Sequence, residues 1–129
     1  MRYRNPTVGV AFLMVEDDQV LLGQRRDGSW CIPCGHVEWD EDIREAAHRE
    51  ALEELGVKIS IGEIFAVHSN FHDPDQHTVG IWFTAEPASK DKMTAGGDLN
   101  EIKFFPIDDL PALSFPTDHL VLDKLRSQA

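Results

Sequence analysis

The stretch Gly35–Val57, which reads GHVEWDEDIREAAHREALEELGV, decides the fold of this 129-residue chain. Within residues 46–55 the apolar side chains recur at helical spacing. Gly56 follows the last of them and favours the left-handed conformation in which many helices end. Near the start, the side chain of Asp40 can accept hydrogen bonds from the free amides of a first turn. The sequence therefore predicts a helix that is capped by Asp40, begins near Glu41 and stops at Gly56.

Three carboxylates crowd one side of this predicted helix. At about 100° per residue, Glu50, Glu53 and Glu54 lie within roughly 100° of one another. Leu52 and Leu55 point away from them, toward a predicted core. Like charges on adjacent turns repel each other, and a divalent cation would relieve that repulsion. Hard oxygen ligands suit Mg²⁺ or Mn²⁺. The spacing alone leaves two interpretations open, a metal site and a solvated acidic face.

Strand signals lie on both sides of the helix. Before it, residues 7–15 and 20–25 are apolar runs joined by a polar turn, which is typical of a hairpin. After it come three runs of β-branched or alternating apolar residues, at 57–68, 77–85 and 101–106. Residues 117–126 predict a terminal helix with four buried side chains, Leu120, Val121, Leu122 and Leu125. Strands that precede and follow a helix indicate a mixed α/β (α+β) class with a partly antiparallel sheet.

Two polar connections separate the later strands. Residues 69–76 are expected to form a surface loop, and residues 86–100, which contain Gly96-Gly97, a mobile connection. No repeat, low-complexity tract or linker interrupts the pattern. Because 129 residues fit one domain of ordinary size, we expect a single domain over residues 1–129.

Charge and cysteine content narrow the function classes. Twelve basic against 23 acidic residues give a net charge of −11, which disfavours binding to a nucleic-acid backbone or an anionic membrane. An acidic protein that handles phosphates would need metal ions to neutralise both parties. Two cysteines do not form a disulfide framework, and no apolar run is long enough to span a bilayer. We therefore expect a cytoplasmic protein with no membrane partner.

The full pattern of the deciding stretch is more specific than its carboxylates. It places Gly35, five residues, Glu41, seven residues and Arg49-Glu50 in order, and the paired glutamates and Gly56-Val57 follow. At every fixed position this resembles the signature of the Nudix hydrolase family (MutT-like), and the order of elements resembles that family over most of the chain. The resemblance implies a Nudix-type α/β/α sandwich. It also implies hydrolysis of a phosphoanhydride bond in a nucleoside diphosphate-linked substrate, by water attack at phosphorus with Mg²⁺ or Mn²⁺.

The same resemblance assigns roles within the helix. Glu50, Glu53 and Glu54 would form the metal shell, with Glu50 as the base or water-orienting group and the other two as direct ligands. Arg49 would join the catalytic set by pairing with Glu53 and holding its rotamer. Glu41 is expected to fix the loop before the helix rather than to bind metal.

Further ligands are expected outside the helix. Family members have paired glycines before it, one of which lends a backbone carbonyl to a metal; here the pair is Cys34-Gly35, and a carbonyl ligand does not depend on the side chain. Because the family often recruits an extra acid from a later loop, Asp98 and Glu101 are the candidates for that acid. A second departure is Asp40, which stands where glycine is common and is interpreted as the helix cap.

Other interpretations remain open at this point. Cys31 and Cys34 form a C-x-x-C motif, which would suit a redox pair or, with His36, half of a zinc site; buried or half-buried thiols are the plainer interpretation. An RNA 5′ pyrophosphohydrolase is disfavoured by the charge, and a non-catalytic nucleotide-binding module by the intact carboxylates. The partner is expected to be a small nucleotide such as a nucleoside triphosphate or ADP-ribose. Both a monomer and a homodimer are compatible with the sequence.

Overall fold

The computed structural model describes residues 5–128, so the ends of the predicted 1–129 domain lie outside the described residues. Its first half contains β1 (Thr7–Leu13), β2 (Val15–Glu16), β3 (Gln19–Gln24), β4 (Trp30–Cys31), β5 (Cys34–His36) and helix α1 (Ile43–Leu55). Its second half contains β6 (Ile59–Asn70), β7 (Thr78–Pro87), a 3₁₀ turn at Lys90–Lys92, β8 (Glu101–Pro106) and helix α2 (Pro116–Ser127). None of the helices in this described part is long and apolar enough to cross a membrane.

The strands form two small sheets. The first has the order β5-β1-β7-β6, in which β1 runs parallel to β7 and antiparallel to β5, while β6 and β7 are antiparallel. In the second, β3 pairs antiparallel with β2, β4 and β8. The predicted mixed, partly antiparallel arrangement is confirmed.

Both faces of the inner strand β1 are buried. Val10 and Phe12 pack toward helix α1, and Ala11 and Leu13 pack toward helix α2. A strand covered on both faces shows a continuous apolar run rather than an alternating one, which is the pattern of VGVAFL. The helices therefore lie on opposite faces of the first sheet, as an α/β/α sandwich requires.

The predicted start of α1 is wrong by two residues. Asp42 caps the helix, since its side chain accepts from Arg44 N. Asp40 instead adopts a left-handed conformation with φ 63°, which favours glycine and differs from the extended conformation of the capping residue Asp42. The predicted end is confirmed, because Gly56 has φ 71° and its amide donates to Leu52 O.

Two apolar side chains predicted to be buried are exposed. Leu52 of α1 is 52% exposed, because the face against the sheet carries the smaller Ala47 and Ala51 together with the buried Leu55. Leu120 of α2 is 51% exposed; the remaining predicted side chains of that helix are buried or half-buried. The spacing of apolar residues allows more than one face of a helix to be the buried one, and packing against the sheet determines which face it is.

Two connections also differ from expectation. The hairpin turn lies at Asp17 and Asp18 as expected. The long strand before it, β1, belongs to the first sheet, and only the short β2 pairs with β3 in the second. The connection predicted to be mobile is hydrogen-bonded to the end of α1: Thr94 N donates to Leu55 O (3.0 Å) and Gly96 N to Glu54 O (2.9 Å). These bonds satisfy carbonyls at the helix C-terminus, which have no partner within the helix.

Candidate active site

A cavity of about 500 Å³ lies between strands β1, β5 and β7 of the first sheet, helix α1 and the loops that precede the two helices. Glu50, Glu54 and Asp98 supply carboxylates to its lining. Strand β5 contributes Cys34 and Gly35. Five of the residues predicted for the site therefore line one cavity, although they are separated by more than sixty positions in the sequence.

Glu54 is the most buried carboxylate of the α1 group. It is 8% exposed, and its Oε1 accepts a hydrogen bond from Cys34 N (3.0 Å). Burial, together with the nearby charges of Glu50 and Asp98, raises the pKa of this carboxyl to about 8. A single backbone amide and the more distant Arg25 oppose that shift. Glu54 therefore holds a proton at neutral pH unless another cation takes its place.

Glu50 lies so close to Gly35 that any side chain at position 35 would displace the Glu50 carboxylate. A Cβ built on Gly35 would fall 1.9 Å from Glu50 Cδ and 2.2 Å from Oε2. The Glu50 side chain is 14% exposed, and burial raises the pKa of its carboxyl, while Arg49 partly counteracts the increase. The fixed glycine of the sequence pattern thus gives this carboxylate its place beside β5.

Arg49 donates hydrogen bonds to three acidic side chains and one backbone carbonyl. Its guanidinium forms two bonds with Glu41, Nε to Oε2 (2.7 Å) and Nη2 to Oε1 (2.9 Å). Nη1 donates to Glu50 Oε1 (2.9 Å) and Glu53 Oε1 (3.2 Å), and Nη2 donates to His36 O (3.0 Å). The predicted pairing of Arg49 with Glu53 is present. The ion pair lowers the pKa of Glu41 to about 2 and raises that of Arg49.

The backbone of Cys34 faces the helix rather than the neighbouring strand. The flanking bonds between β5 and β1 run from Phe12 N to Pro33 O (3.0 Å) and from Val37 N to Val8 O (2.8 Å). Alternation along an antiparallel pair then assigns the intervening bonds to Gly35 and turns the amide and carbonyl of Cys34 to the other side. Of the two carbonyls predicted as metal ligands, that of Cys34 is therefore the one directed toward the helix.

The structure does not bring every predicted residue to the cavity. The Glu53 side chain is 53% exposed and is held at the surface by Arg49. Glu101 pairs with Gln24 in the second sheet and is exposed, whereas Asp98 lines the cavity. Across residues 5–128, no three His, Cys, Asp or Glu side chains form a group that could hold a metal ion. A bound cation would therefore need the backbone carbonyl or a change of rotamer.

The two cysteines are free thiols beside the same cavity. Cys31 is buried and Cys34 half-buried, which matches the plainer interpretation of the C-x-x-C motif. A hydrogen bond with Cys31, together with burial, raises the pKa of the Cys34 thiol well above its usual range. A thiol held in its neutral form is a poor nucleophile and a poor metal ligand. The arrangement thus gives no support to a zinc or redox site.

One buried carboxylate of the cavity was not predicted from the sequence. Asp118 is 2% exposed; its Oδ2 accepts from Ile32 N (3.0 Å) and its Oδ1 from Trp82 Nε1 (3.2 Å). Burial raises the pKa of this carboxyl to about 7. In the sequence it is one acidic residue in the first turn of α2, where an aspartate is common for reasons of helix stability alone.

Comparisons with known proteins agree with this geometry. The model of the NUDIX domain family matches residues 3–125. An ADP-ribose pyrophosphatase of Methanocaldococcus jannaschii is 31% identical over 129 aligned residues, which cover 96% of this chain and 76% of that protein.

Solved structures show the same architecture. The crystal structure of a MutT NUDIX hydrolase from Burkholderia pseudomallei superposes with a TM-score of 0.86 at 25% identity, covering 95% of this chain and 99% of that one. A NUDIX hydrolase from Nitrosomonas europaea gives a TM-score of 0.84 at 28% identity, covering 98% and 73% of the two chains.

Proposed function

The chain belongs to the Nudix hydrolase family, and on that basis we propose that it cleaves a phosphoanhydride bond in a nucleoside diphosphate-linked substrate with the help of Mg²⁺ or Mn²⁺. We propose further that residues 1–129 act as one domain. ADP-ribose is the first substrate to test, because the relative from M. jannaschii is named for it.

The buried Glu54 carboxyl is the observation that carries this proposal. Its burial beside Glu50 and Asp98 makes a site that is costly to leave negatively charged, and no Lys or Arg of residues 5–128 forms an ion pair with Glu54. Carboxylate and carbonyl oxygens are the donors that Mg²⁺ and Mn²⁺ prefer. We propose Glu54 and the carbonyl oxygen of Cys34 as the principal ligands, with Asp98 as a further donor.

The remaining residues act on water and substrate. A divalent cation held by Glu54 and the carbonyl oxygen of Cys34 would neutralise negative charge on the substrate phosphates and would make water a better nucleophile. Glu50, whose pKa is raised, accepts the proton of the attacking water and is kept in place by Arg49. Glu53 stabilises the orientation of Arg49 from the surface. Arg25 is the one Lys or Arg in the cavity lining of the described chain, and we assign it to a substrate phosphate.

The test is a substrate panel assayed with Mg²⁺ and Mn²⁺. The panel contains ADP-ribose, nucleoside triphosphates, sugar nucleotides, dinucleoside polyphosphates and 5′-triphosphate RNA, and it compares wild type with Glu50→Gln and Glu54→Gln. Glu45→Gln is the matched control, since Glu45 lies on an exposed face of α1. We expect each of the first two substitutions to lower kcat by at least about 10²-fold and the control to leave it unchanged. Wild-type rates in Glu54→Gln would reject the site, and no turnover on any substrate would favour a binding module.

A further inference from the structure

Two glycines lie side by side on the face of the first sheet that the cavity covers. Gly9 of β1 and Gly80 of β7 are partners in the parallel register, so a side chain on either would point to the same face. The next partners on that face are Ala11 and Trp82. Neither glycine has a positive φ, so the backbone conformation requires glycine at neither position.

Packing explains only one of the two. A Cβ on Gly80 would lie 2.7 Å from Trp82 Cη2, so the indole ring occupies that space. A Cβ on Gly9 would meet only Thr78 Cγ2 at 3.4 Å and Gly35 O at 3.7 Å, which are ordinary contacts. Glycine inside a strand weakens it, and often marks a close approach by a ligand. Gly9 therefore lines the cavity, and no described atom blocks the position that a Cβ would take there.

Polar groups surround this space at the level of the sheet. His36 is the partner of Gly9 on β5, and the side chain of Gln76 bridges His36 Nε2 (3.4 Å) and Thr7 Oγ1 (3.1 Å). Asn70 also lines the cavity. Amide side chains carry both donors and acceptors, which the edge of a nucleobase also carries.

The groups next to the two glycines disfavour a phosphate. The apolar ring of Trp82 lies against Gly80, and the buried Asp118 accepts a hydrogen bond from the indole nitrogen of Trp82. A flat apolar ring with polar edges matches such a lining, in which a few polar groups orient a largely apolar ligand.

We propose that the space over Gly9 receives the planar base of the substrate, and that Gly9 sets the size of the base that the enzyme accepts. This inference rests on the function proposed above, because it assumes that the cavity binds a nucleotide. The phosphates then lie toward Glu50 and Glu54, and the base lies over β1.

The test measures binding rather than turnover. The probes are the four ribonucleoside 5′-monophosphates and ribose 5-phosphate, which lacks a base, with Kd measured in wild type, Gly9→Val and Gly9→Ala. Val8→Ile is the matched control, because it enlarges the neighbouring side chain on the opposite face of the same strand. We expect Gly9→Val to weaken the tightest monophosphate roughly tenfold or more. We expect Gly9→Ala to weaken it less, and ribose 5-phosphate to be unaffected in every variant.

Several results would overturn the inference. One is a wild type that binds the monophosphates no better than ribose 5-phosphate, and another is an equal loss for both kinds of probe in Gly9→Val. If thermal melting shows that Gly9→Val is unfolded, Gly9→Ala decides, and an unchanged base preference in it rejects the role of Gly9.

The two proposals fail in different ways. Because binding is measured without turnover, an enzyme that hydrolyses nothing but keeps a Gly9-dependent base preference would contradict only the proposed function. Normal hydrolysis with a base preference that ignores Gly9 would contradict only this inference.

Discussion

Arg49 and Glu41 form a two-bond ion pair across eight residues, Nε to Oε2 at 2.7 Å and Nη2 to Oε1 at 2.9 Å. Because Glu41 also accepts from Glu38 N (3.0 Å), this pair fastens the loop before α1 to the middle of the helix. The same guanidinium donates a hydrogen bond to Glu50, so Arg49 holds both the loop and this cavity carboxylate in place.

Arg49→Lys is expected to lose both stability and activity although the charge is kept. A lysine cannot reproduce the planar fork that contacts Glu41 and Glu50 at once. We expect the free energy of unfolding to fall by about 1–3 kcal/mol, and kcat to fall because Glu50 is no longer held. Urea unfolding and steady-state kinetics at pH 7 measure the two effects. Arg26→Lys, at an exposed position, should change neither.

Gly35→Ala is expected to lower kcat with little effect on stability. The added methyl group would occupy the position of the Glu50 carboxylate, and a flexible side chain can move away at small cost. Its new position, however, is no longer beside β5. Gly28→Ala is the complementary control. With φ 91° and no neighbour within 4 Å, Gly28 should lose about 1 kcal/mol of stability on substitution and keep full kcat. Equal kcat in the two variants would contradict this assignment.

Local chemistry predicted several element boundaries because those boundaries depend on neighbouring residues alone. The end of α1 at Gly56 follows from glycine's tolerance of a left-handed conformation. The bounds of β8, Glu101–Pro106, agree with the predicted run of apolar residues. The start of α1 was missed because Asp40 and Asp42 can both cap a helix, and only the course of the preceding loop selects between them.

The composition of the site depends on contacts that no local pattern contains. Helical spacing groups Glu53 with Glu54, yet Glu54 faces Cys34 and Glu53 faces solvent. That choice is made by the position of β5, twenty residues earlier in the chain. The space over Gly9 arises from a parallel pairing with Gly80, a partner seventy-one residues away. The sequence therefore predicts which kinds of residue form the site better than it predicts their orientation.

Substitutions at the two aspartates before α1 should have opposite effects. Asp42→Ala removes the bond to Arg44 N and should cost about 1 kcal/mol in the free energy of unfolding. Asp40→Gly should instead raise stability by several tenths of a kcal/mol, because glycine adopts φ 63° without steric cost. Chemical denaturation of both variants measures the difference. If the free energy of unfolding falls more in Asp40→Gly than in Asp42→Ala, the capping residue is Asp40 and this assignment is wrong.

The stability of the metal-free protein should fall as the pH rises from about 5 to about 8. The pKa of Glu54 is raised from 4.5 in the unfolded chain to about 8, and that of Asp118 from 3.8 to about 7. At a pH between the unfolded and the folded pKa of each group, the folded state binds more protons than the unfolded state. The stabilisation of the folded state by these protons is therefore complete at low pH and is lost as the pH rises.

Glu54→Gln isolates the larger of the two contributions. The amide oxygen can still accept from Cys34 N but does not ionise, so in EDTA the variant should lose less stability between pH 6 and pH 8.5 than wild type. At pH 8.5 it should be the more stable protein, by an amount on the order of a few kcal/mol. Addition of Mg²⁺ should raise the Tm of wild type and leave that of Glu54→Gln unchanged, since the cation stabilises the folded state only where it binds. Parallel pH profiles for the two proteins would show that Glu54 is not protonated in the folded state, and would remove the main support for a cation at this position.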